Sequence, residues 1–189
     1  MTIFYRGAGV GTYWHTRDAR STDFTSKVPE GPNTVHRMME HVARANLNSP
    51  YVSLTQSYGV ALNYALHGRV KAEETNPAYV YEVEIPQPLP QGLQLIDPVQ
   101  EILRASPEPP ASASYHHDGD QEFLHGIISP SMSHYLERQV KHPPPYTGTP
   151  RTPNLTIELE TLVRALRDAE VLALGTIPSN CVVNRYRVW

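Results

Sequence analysis

The sequence predicts an α+β fold, because strand patterns and helix patterns intermix without the regular alternation typical of a doubly wound sheet. The clearest strand covers residues 79–85, which are rich in β-branched and aromatic side chains. The clearest helix follows Thr34, a residue type that caps helices. Apolar residues recur there at helical spacing, namely at Val35, Met38, Met39, Val42 and Ala43.

Shorter patterned segments precede the clearest strand. Residues 3–6 are predicted as a strand closed by Gly7, and Tyr51–Thr55 as a strand that leads into a helix from Ser57. Ser53 and Thr55 share one face at the end of their strand, which indicates a ligand-facing edge. The following helix is predicted to bury Val60, Ala61, Tyr64 and Ala65.

Elements continue after residue 85. Residues 93–96 are predicted as a short strand and Pro98–Ala105 as a short helix. A longer helix is predicted over residues 156–168, followed by the strand Glu170–Leu174, a turn at Gly175 and a last strand over residues 181–188. The predicted apolar stripe of the longer helix comprises Leu159, Leu162, Val163 and Leu166.

Length and composition favour a single domain over residues 1–189. The chain has 189 residues and 40% hydrophobic content, enough for one core of ordinary size. Its 18 prolines cluster between the patterned segments, above all in a Pro-rich connector at about residues 142–153. Because patterned segments lie on both sides of each cluster, we interpret the clusters as loops of one domain.

Several function classes are disfavoured by composition. The N-terminus lacks a signal-peptide pattern and no run of eighteen apolar residues occurs, so we expect a soluble protein that acts in a cytoplasm without membrane partners. Cys181 is the only cysteine, which excludes an intrachain disulfide and a thiolate zinc site. A net charge of −3 without a basic run argues against a broad nucleic-acid-binding surface.

Three segments in order, residues 4–7, 51–65 and 170–178, resemble the mono-ADP-ribosyltransferase family. The resemblance is to its arginine-serine-glutamate, cholera-toxin-like branch, which includes bacterial toxins and effectors. It implies a split β-sandwich core with flanking helices, NAD as the substrate and no metal. If the chain is a toxin, the resemblance also implies an immunity protein as a partner.

The resemblance assigns roles to residues of the first two segments. Arg6 would anchor NAD through its planar fork of donors, with Gly7 beside it at the cofactor. Ser53 and Thr55 would contact the nicotinamide-side ribose and position the catalytic glutamate. Leu54 departs from the family pattern, which has a threonine at that position.

Two glutamates are candidates for the catalytic carboxylate, which would stabilise positive charge on the ribose. Glu170 begins an apolar strand and is followed by a glycine, an Ile-Pro turn and a last strand, as in the family. Glu122 lies in a similar segment, but the apolar residues around it have helical spacing. We favour Glu170 and keep Glu122 as the alternative.

The position two residues before the glutamate handles the acceptor in the family. Asp168 occupies it here, or Asp120 if Glu122 is the catalytic residue. A carboxylate there could act as a base toward an acceptor. Asp168 could equally end the preceding helix and form a surface pair with Arg167 or Arg164.

The resemblance therefore predicts an enzyme that transfers ADP-ribose from NAD to an acceptor and releases nicotinamide. The acceptor could be a protein, a nucleic acid or a small molecule. Two alternatives stay open: an NAD glycohydrolase, in which water replaces the acceptor, and a non-catalytic member of the same fold that binds NAD or another partner.

Overall fold

A computed structural model describes residues 1–105 and 157–189 of the chain. Its strands are β1 (Thr2–Ala8), β2 (Tyr51–Thr55), β3 (Ala78–Ile85), β4 (Gln94–Ile96), β5 (Glu170–Leu174) and β6 (Val182–Val188). They form one sheet in the order β4-β5-β2-β1-β3-β6, and every neighbouring pair is antiparallel. This antiparallel sheet with flanking helices agrees with the predicted α+β class.

The helices are α1 (Tyr13–Thr16), α2 (Ala19–Thr22), α3 (Val35–Arg44), α4 (Tyr58–Leu66), α5 (Pro98–Ala105) and α6 (Ile157–Asp168), with a 3-10 turn at Ser179–Cys181. The predicted Thr34 cap is present and accepts a bond from Arg37 N, and Ser57 caps α4 by accepting one from Val60 N. The sequence pattern did not predict α1 and α2, because four residues are too few to show a helical stripe.

A weak junction crosses the middle of the sheet. β1 pairs with β3 along its whole length, from Thr2 opposite Ile85 to Ala8 opposite Tyr79. In the part of the chain that the structure describes, β1 pairs with β2 only where Tyr5 lies opposite Thr55. The sheet therefore divides into two halves, β4-β5-β2 and β1-β3-β6.

Three apolar clusters hold the helices on the sheet. α3, α5 and α6 pack on the β2–β5 half through Met38, Ile102, Leu162 and Leu172, among others. α4 packs on β1 and β3 through Ala61, Ala65, Ala78 and Val80. The opposite face of the sheet is covered by the segment around Trp14, Ala19 and Phe24, together with Ile177. The Phe24 and Ile177 backbones pair directly, which closes that cluster.

Some predicted core positions were wrong. Tyr64 of α4 is 51% exposed, because the small residues Ala61 and Ala65 bring the helix close to the sheet and turn Tyr64 outward. Val163 and Leu166 of α6 are also exposed. The buried face of α6 therefore differs from the predicted stripe, and it includes the fully buried Thr161. The Thr161 hydroxyl donates to the Ile157 carbonyl oxygen at 2.6 Å.

The start of the last strand was predicted one residue too early. Cys181 closes the 3-10 turn, and the strand starts at Val182. Glu122, Asp120 and the Pro-rich connector at residues 142–153 lie outside the described residues.

Candidate active site

Arg6 crosses the junction between the two halves of the sheet. Its Nη1 atom donates to the Ser53 carbonyl oxygen on β2 at 2.5 Å. The Nε atom is buried, and no residue of the described part of the chain accepts a bond from it. Burial lowers the pKa of Arg6 to about 10, an effect that the negative charge of Glu170 partly offsets. Arg6 therefore stays charged at neutral pH and keeps donor capacity at a desolvated position.

His41 on α3 lies behind Ser53. Its Nε2 atom is 2.9 Å from the Ser53 hydroxyl, and its Nδ1 atom is 2.6 Å from the Ser49 hydroxyl. Burial lowers the pKa of His41 to about 4, and the positive charge of Arg6 acts in the same direction. His41 is therefore neutral at pH 7, with one ring nitrogen donating and the other accepting.

Glu170 begins β5 and lies opposite Thr55 of β2. Burial raises the pKa of Glu170, and the negative charge of Asp168 adds to that rise. A hydrogen bond from the Ser53 hydroxyl and the positive charges of Arg6 and Arg167 act the other way. The carboxylate is thus half-buried beside a serine and an arginine that favour its charged form.

One network links these groups. The His41 ring lies between the Ser49 and Ser53 hydroxyls, and its Nδ1 atom also lies 3.3 Å from the Asn46 carbonyl oxygen. The Ser53 hydroxyl in turn favours the charged form of the Glu170 carboxylate. We call Arg6, His41, Ser53 and Glu170 the buried cluster. It joins β1, α3, β2 and β5 and fixes the Glu170 carboxylate near the junction of the sheet.

No protein-family model, curated protein or solved structure matches this chain. Among residues 1–105 and 157–189, no three His, Cys, Asp or Glu side chains gather closely enough to hold a metal ion. Over the same residues, no helix is long and apolar enough to cross a membrane.

Thr55 is used to hold the strand ends together. Its hydroxyl donates to the Asp168 carbonyl oxygen at 2.5 Å and accepts a bond from Ser57 N at 3.0 Å. The side chain is buried. Since its only hydrogen is engaged with Asp168, Thr55 positions the start of β5 and has no hydrogen left to donate to a ligand.

Asp168 lies beside Glu170 and is paired with its neighbour. Arg167 Nε is 2.7 Å from Asp168 Oδ1, and Arg167 Nη2 is 2.7 Å from Oδ2. The Tyr64 hydroxyl donates to the same Oδ2 at 2.6 Å. We call Tyr64, Arg167 and Asp168 the outer triad. The predicted pair with Arg167 is present, and the predicted role of Asp168 toward the acceptor stays a prediction.

Pairing sets the charges of the outer triad. The bonds from Arg167 and Tyr64 hold the pKa of Asp168 below its usual value, although burial opposes them as the largest single effect. The same bonds raise the pKa of Arg167. The outer triad therefore consists of the ion pair between Arg167 and Asp168 and the Tyr64 phenol. It borders Glu170 on the side where the Tyr64 and Arg167 side chains are exposed.

Gly7 faces α4, away from Arg6, because neighbouring residues of a strand point to opposite faces. A Cβ atom at this position would collide with the Ala61 carbonyl oxygen and lie 2.8 Å from Ala65 N. The close approach of α4 to β1 thus requires a glycine here. The structure places Gly7 at a packing contact, and its predicted role at the cofactor stays a prediction.

His41 is the member of the buried cluster that sequence reasoning missed. It lies three residues after Met38, within the buried stripe of α3. A titratable side chain at a position that the helical period makes internal was the available signal. A hollow of about 210 Å³ lies elsewhere, between Asn33, Met38, Tyr51 and Glu101, and includes no member of the buried cluster.

Proposed function

We propose that this protein transfers ADP-ribose from NAD to an acceptor and releases nicotinamide. The observation that carries the proposal is the buried cluster. Arg6, Ser53 and Glu170 come from three strands that are far apart in sequence, yet they act on one another through a hydrogen bond and direct electrostatic interactions. These are the residue types that bind a diphosphate, orient a ribose and stabilise a cationic sugar.

The shape of the sheet supports the same proposal. The junction between β1 and β2 leaves two halves of three strands, joined at one residue pair in the described part of the chain. A split β-sandwich core would have this division, and its cleft would open where Arg6 reaches across to β2. We accordingly propose an ADP-ribosyltransferase-like core.

Arg6 has the donors that a dinucleotide phosphate needs. One terminal nitrogen is engaged with Ser53 O, and the buried Nε atom has no acceptor among the described residues. A buried donor without a partner costs about 1–3 kcal/mol, which a phosphate or ribose oxygen would recover. NAD would thus be held by Arg6, with its nicotinamide ribose toward Ser53 and Glu170.

The chemistry is a displacement at the ribose. The bond between C1′ and the nicotinamide nitrogen breaks, and its electron pair leaves with nicotinamide, which becomes neutral. Positive charge develops on the ribose, and the fixed Glu170 carboxylate stabilises it. The acceptor then forms a bond to C1′ and loses a proton. Burial of Glu170 strengthens this electrostatic effect, because little water screens it.

The test incubates the protein with a cell lysate and NAD that is labelled in its adenosine half. It measures the release of nicotinamide and, separately, where the label ends up. Label on a macromolecule supports transfer, free ADP-ribose alone supports a glycohydrolase, and binding without release supports a non-catalytic protein. We expect Glu170→Gln to lower nicotinamide release by about 10²–10³-fold. The matched control is Glu160→Gln, a change at a half-exposed α6 carboxylate that pairs with Arg164.

Glu122→Gln decides between the two glutamates. We expect it to retain activity, because Glu170 supplies the carboxylate. Loss of activity in Glu122→Gln together with full activity in Glu170→Gln would reverse the assignment.

A further inference from the structure

The solvent-facing side of the candidate site determines how an acceptor can approach. Toward the protein interior, Glu170 interacts with Ser53, which lies against the buried His41. Toward solvent it borders the outer triad, in which Tyr64 is 51% exposed and the Arg167 side chain is 58% exposed. An acceptor that approaches a ribose at Glu170 from this side therefore meets Tyr64 and Arg167.

The carboxylate on this side is already occupied. Asp168 accepts two bonds from Arg167, one on each oxygen, and a third from Tyr64. Its side chain is only 13% exposed. A bidentate contact of this kind is the one that a carboxylate would offer to the guanidinium of an incoming arginine. Arg167, a neighbour in the chain, holds that position without a loss of translational freedom.

Deprotonation raises a second obstacle for a cationic acceptor. A guanidinium has no free lone pair until it loses a proton, so it needs a basic carboxylate before it can attack. The bonds from Arg167 and Tyr64 hold the pKa of Asp168 low, which makes this carboxylate a poor base. A hydroxyl or an uncharged nitrogen attacks first and loses its proton afterwards, so it needs only a weak base.

We propose that the acceptor is an uncharged oxygen or nitrogen nucleophile and not a guanidinium, because Arg167 fills the carboxylate on the acceptor side. This inference rests on the proposed function. In the transfer step the lone pair of the nucleophile bonds to C1′ as the nicotinamide leaves with the pair of the broken bond. The proton of the nucleophile passes to Tyr64 Oη, whose own proton moves to Asp168 Oδ2, 2.6 Å away. Solvent then removes that proton.

The experiment gives the full chain NAD with either agmatine, a small guanidinium, or methanol, an uncharged nucleophile. Nicotinamide release and the two ADP-ribosyl products are measured separately. The wild type is expected to form mainly the methanol product and only a trace of agmatine product. Arg167→Gln should free Asp168 and raise agmatine product at least about tenfold, the ratio that corresponds to losing one charge-assisted interaction.

Two further variants isolate the cause. Arg164→Gln removes a cation from the same helix that acts on Asp168 through its charge alone, so Arg167 keeps its two bonds and agmatine should stay excluded. Adding Asp168→Asn to Arg167→Gln should lower the agmatine product to a trace again. Agmatine product from the wild type, at a rate similar to that of methanol product, would overturn the inference while leaving the proposed function intact. So would an Arg167→Gln variant that still releases nicotinamide but rejects agmatine. A wild type that releases no nicotinamide from NAD would overturn the proposed function, and this inference with it.

Discussion

The buried cluster and the outer triad are neighbours at the start of β5, but the pKa values of their ionisable groups are shifted in opposite directions. In the buried cluster the pKa values of Arg6 and His41 are lowered and that of Glu170 is raised, so each neutral form is favoured. In the outer triad the pKa of Asp168 is lowered and that of Arg167 is raised, so the charged forms are favoured.

The difference teaches which effect is larger in each region. Desolvation dominates in the buried cluster, whose hydrogen bonds offset only part of its cost. In the outer triad the pairing contacts together outweigh desolvation, and two of the three side chains reach water. A cluster that disfavours its own charges lowers the stability of the native state, and this is typical of a site kept for chemistry. The outer triad stabilises the fold.

Acidification should separate the two regions most strongly at His41. Its pKa is lowered from 6.5 to about 4, so the native state resists protonation that the unfolded chain accepts. The corresponding stability is fully present above pH 6.5 and is lost as pH falls toward about 4. The loss is about 3 kcal/mol. We expect urea unfolding at pH 7 and pH 4 to show it in the wild type.

His41→Gln is the control for this measurement, because it removes the titration and keeps a polar side chain. Glu170 works in the other sense: its raised pKa gives stability that is present at low pH and lost as pH rises. The Glu170→Gln variant should therefore lose more unfolding free energy on acidification than the wild type does. Equal pH dependence in the wild type and in His41→Gln would contradict the assignment.

Much of this arrangement could be predicted from local patterns. The strands Tyr51–Thr55 and Glu170–Leu174 and the helix Pro98–Ala105 were predicted with their observed bounds. Apolar runs closed by turn residues fix such elements without help from the rest of the chain. The proximity of Arg6, Ser53 and Glu170 followed from the resemblance alone.

The contacts of the site could not be predicted in the same way. Thr55 and Asp168 are 113 residues apart in sequence, and no periodicity shows that the hydroxyl of one satisfies the carbonyl of the other. Tyr64 has the spacing of a buried residue, yet it turns to Asp168 because α4 packs through alanines. Long-range hydrogen bonds decided these side chains, and local propensity did not.

The outer triad should have a smaller but measurable effect on stability. Asp168→Asn removes one charge from the pair with Arg167 and weakens the bond from Tyr64. We expect a loss of about 1 kcal/mol in the free energy of unfolding at pH 7, since Arg167 is mostly exposed and solvent screens the pair. The pKa of Asp168 is lowered, so this stabilisation is present above pH 3.8 and disappears on further acidification.

Glu160→Gln is the matched change, because the half-exposed Glu160 pairs with Arg164 at 3.3 Å on the same helix. We expect almost no change in unfolding free energy there. If both variants lost the same stability, the outer triad would be an ordinary surface ion pair and the contrast with the buried cluster would be weaker.

The smallest effect is expected at Ala169, the residue between the two regions. Its φ of 44° lies in the left-handed region, where a side chain costs about 1–2 kcal/mol. Ala169→Gly removes that strain at an exposed site, and part of the gain is offset by the greater freedom of glycine in the unfolded chain. We expect a net gain of about 1 kcal/mol or less. Ala45→Gly, at the end of α3 with a φ of 50°, is the control and should gain a similar amount.

Measuring nicotinamide release in the same variants shows which contacts hold Asp168 and Glu170 in their relative positions. Thr55 is bonded to the Asp168 carbonyl, and Gln56 N donates to the Ala169 carbonyl at 3.3 Å. If these bonds fix the start of β5, Ala169→Gly keeps Glu170 in place and releases nicotinamide at the wild-type rate, as Ala45→Gly does. A drop in rate confined to Ala169→Gly would show instead that the left-handed alanine itself holds the Asp168 carboxylate apart from the proposed catalytic carboxylate of Glu170.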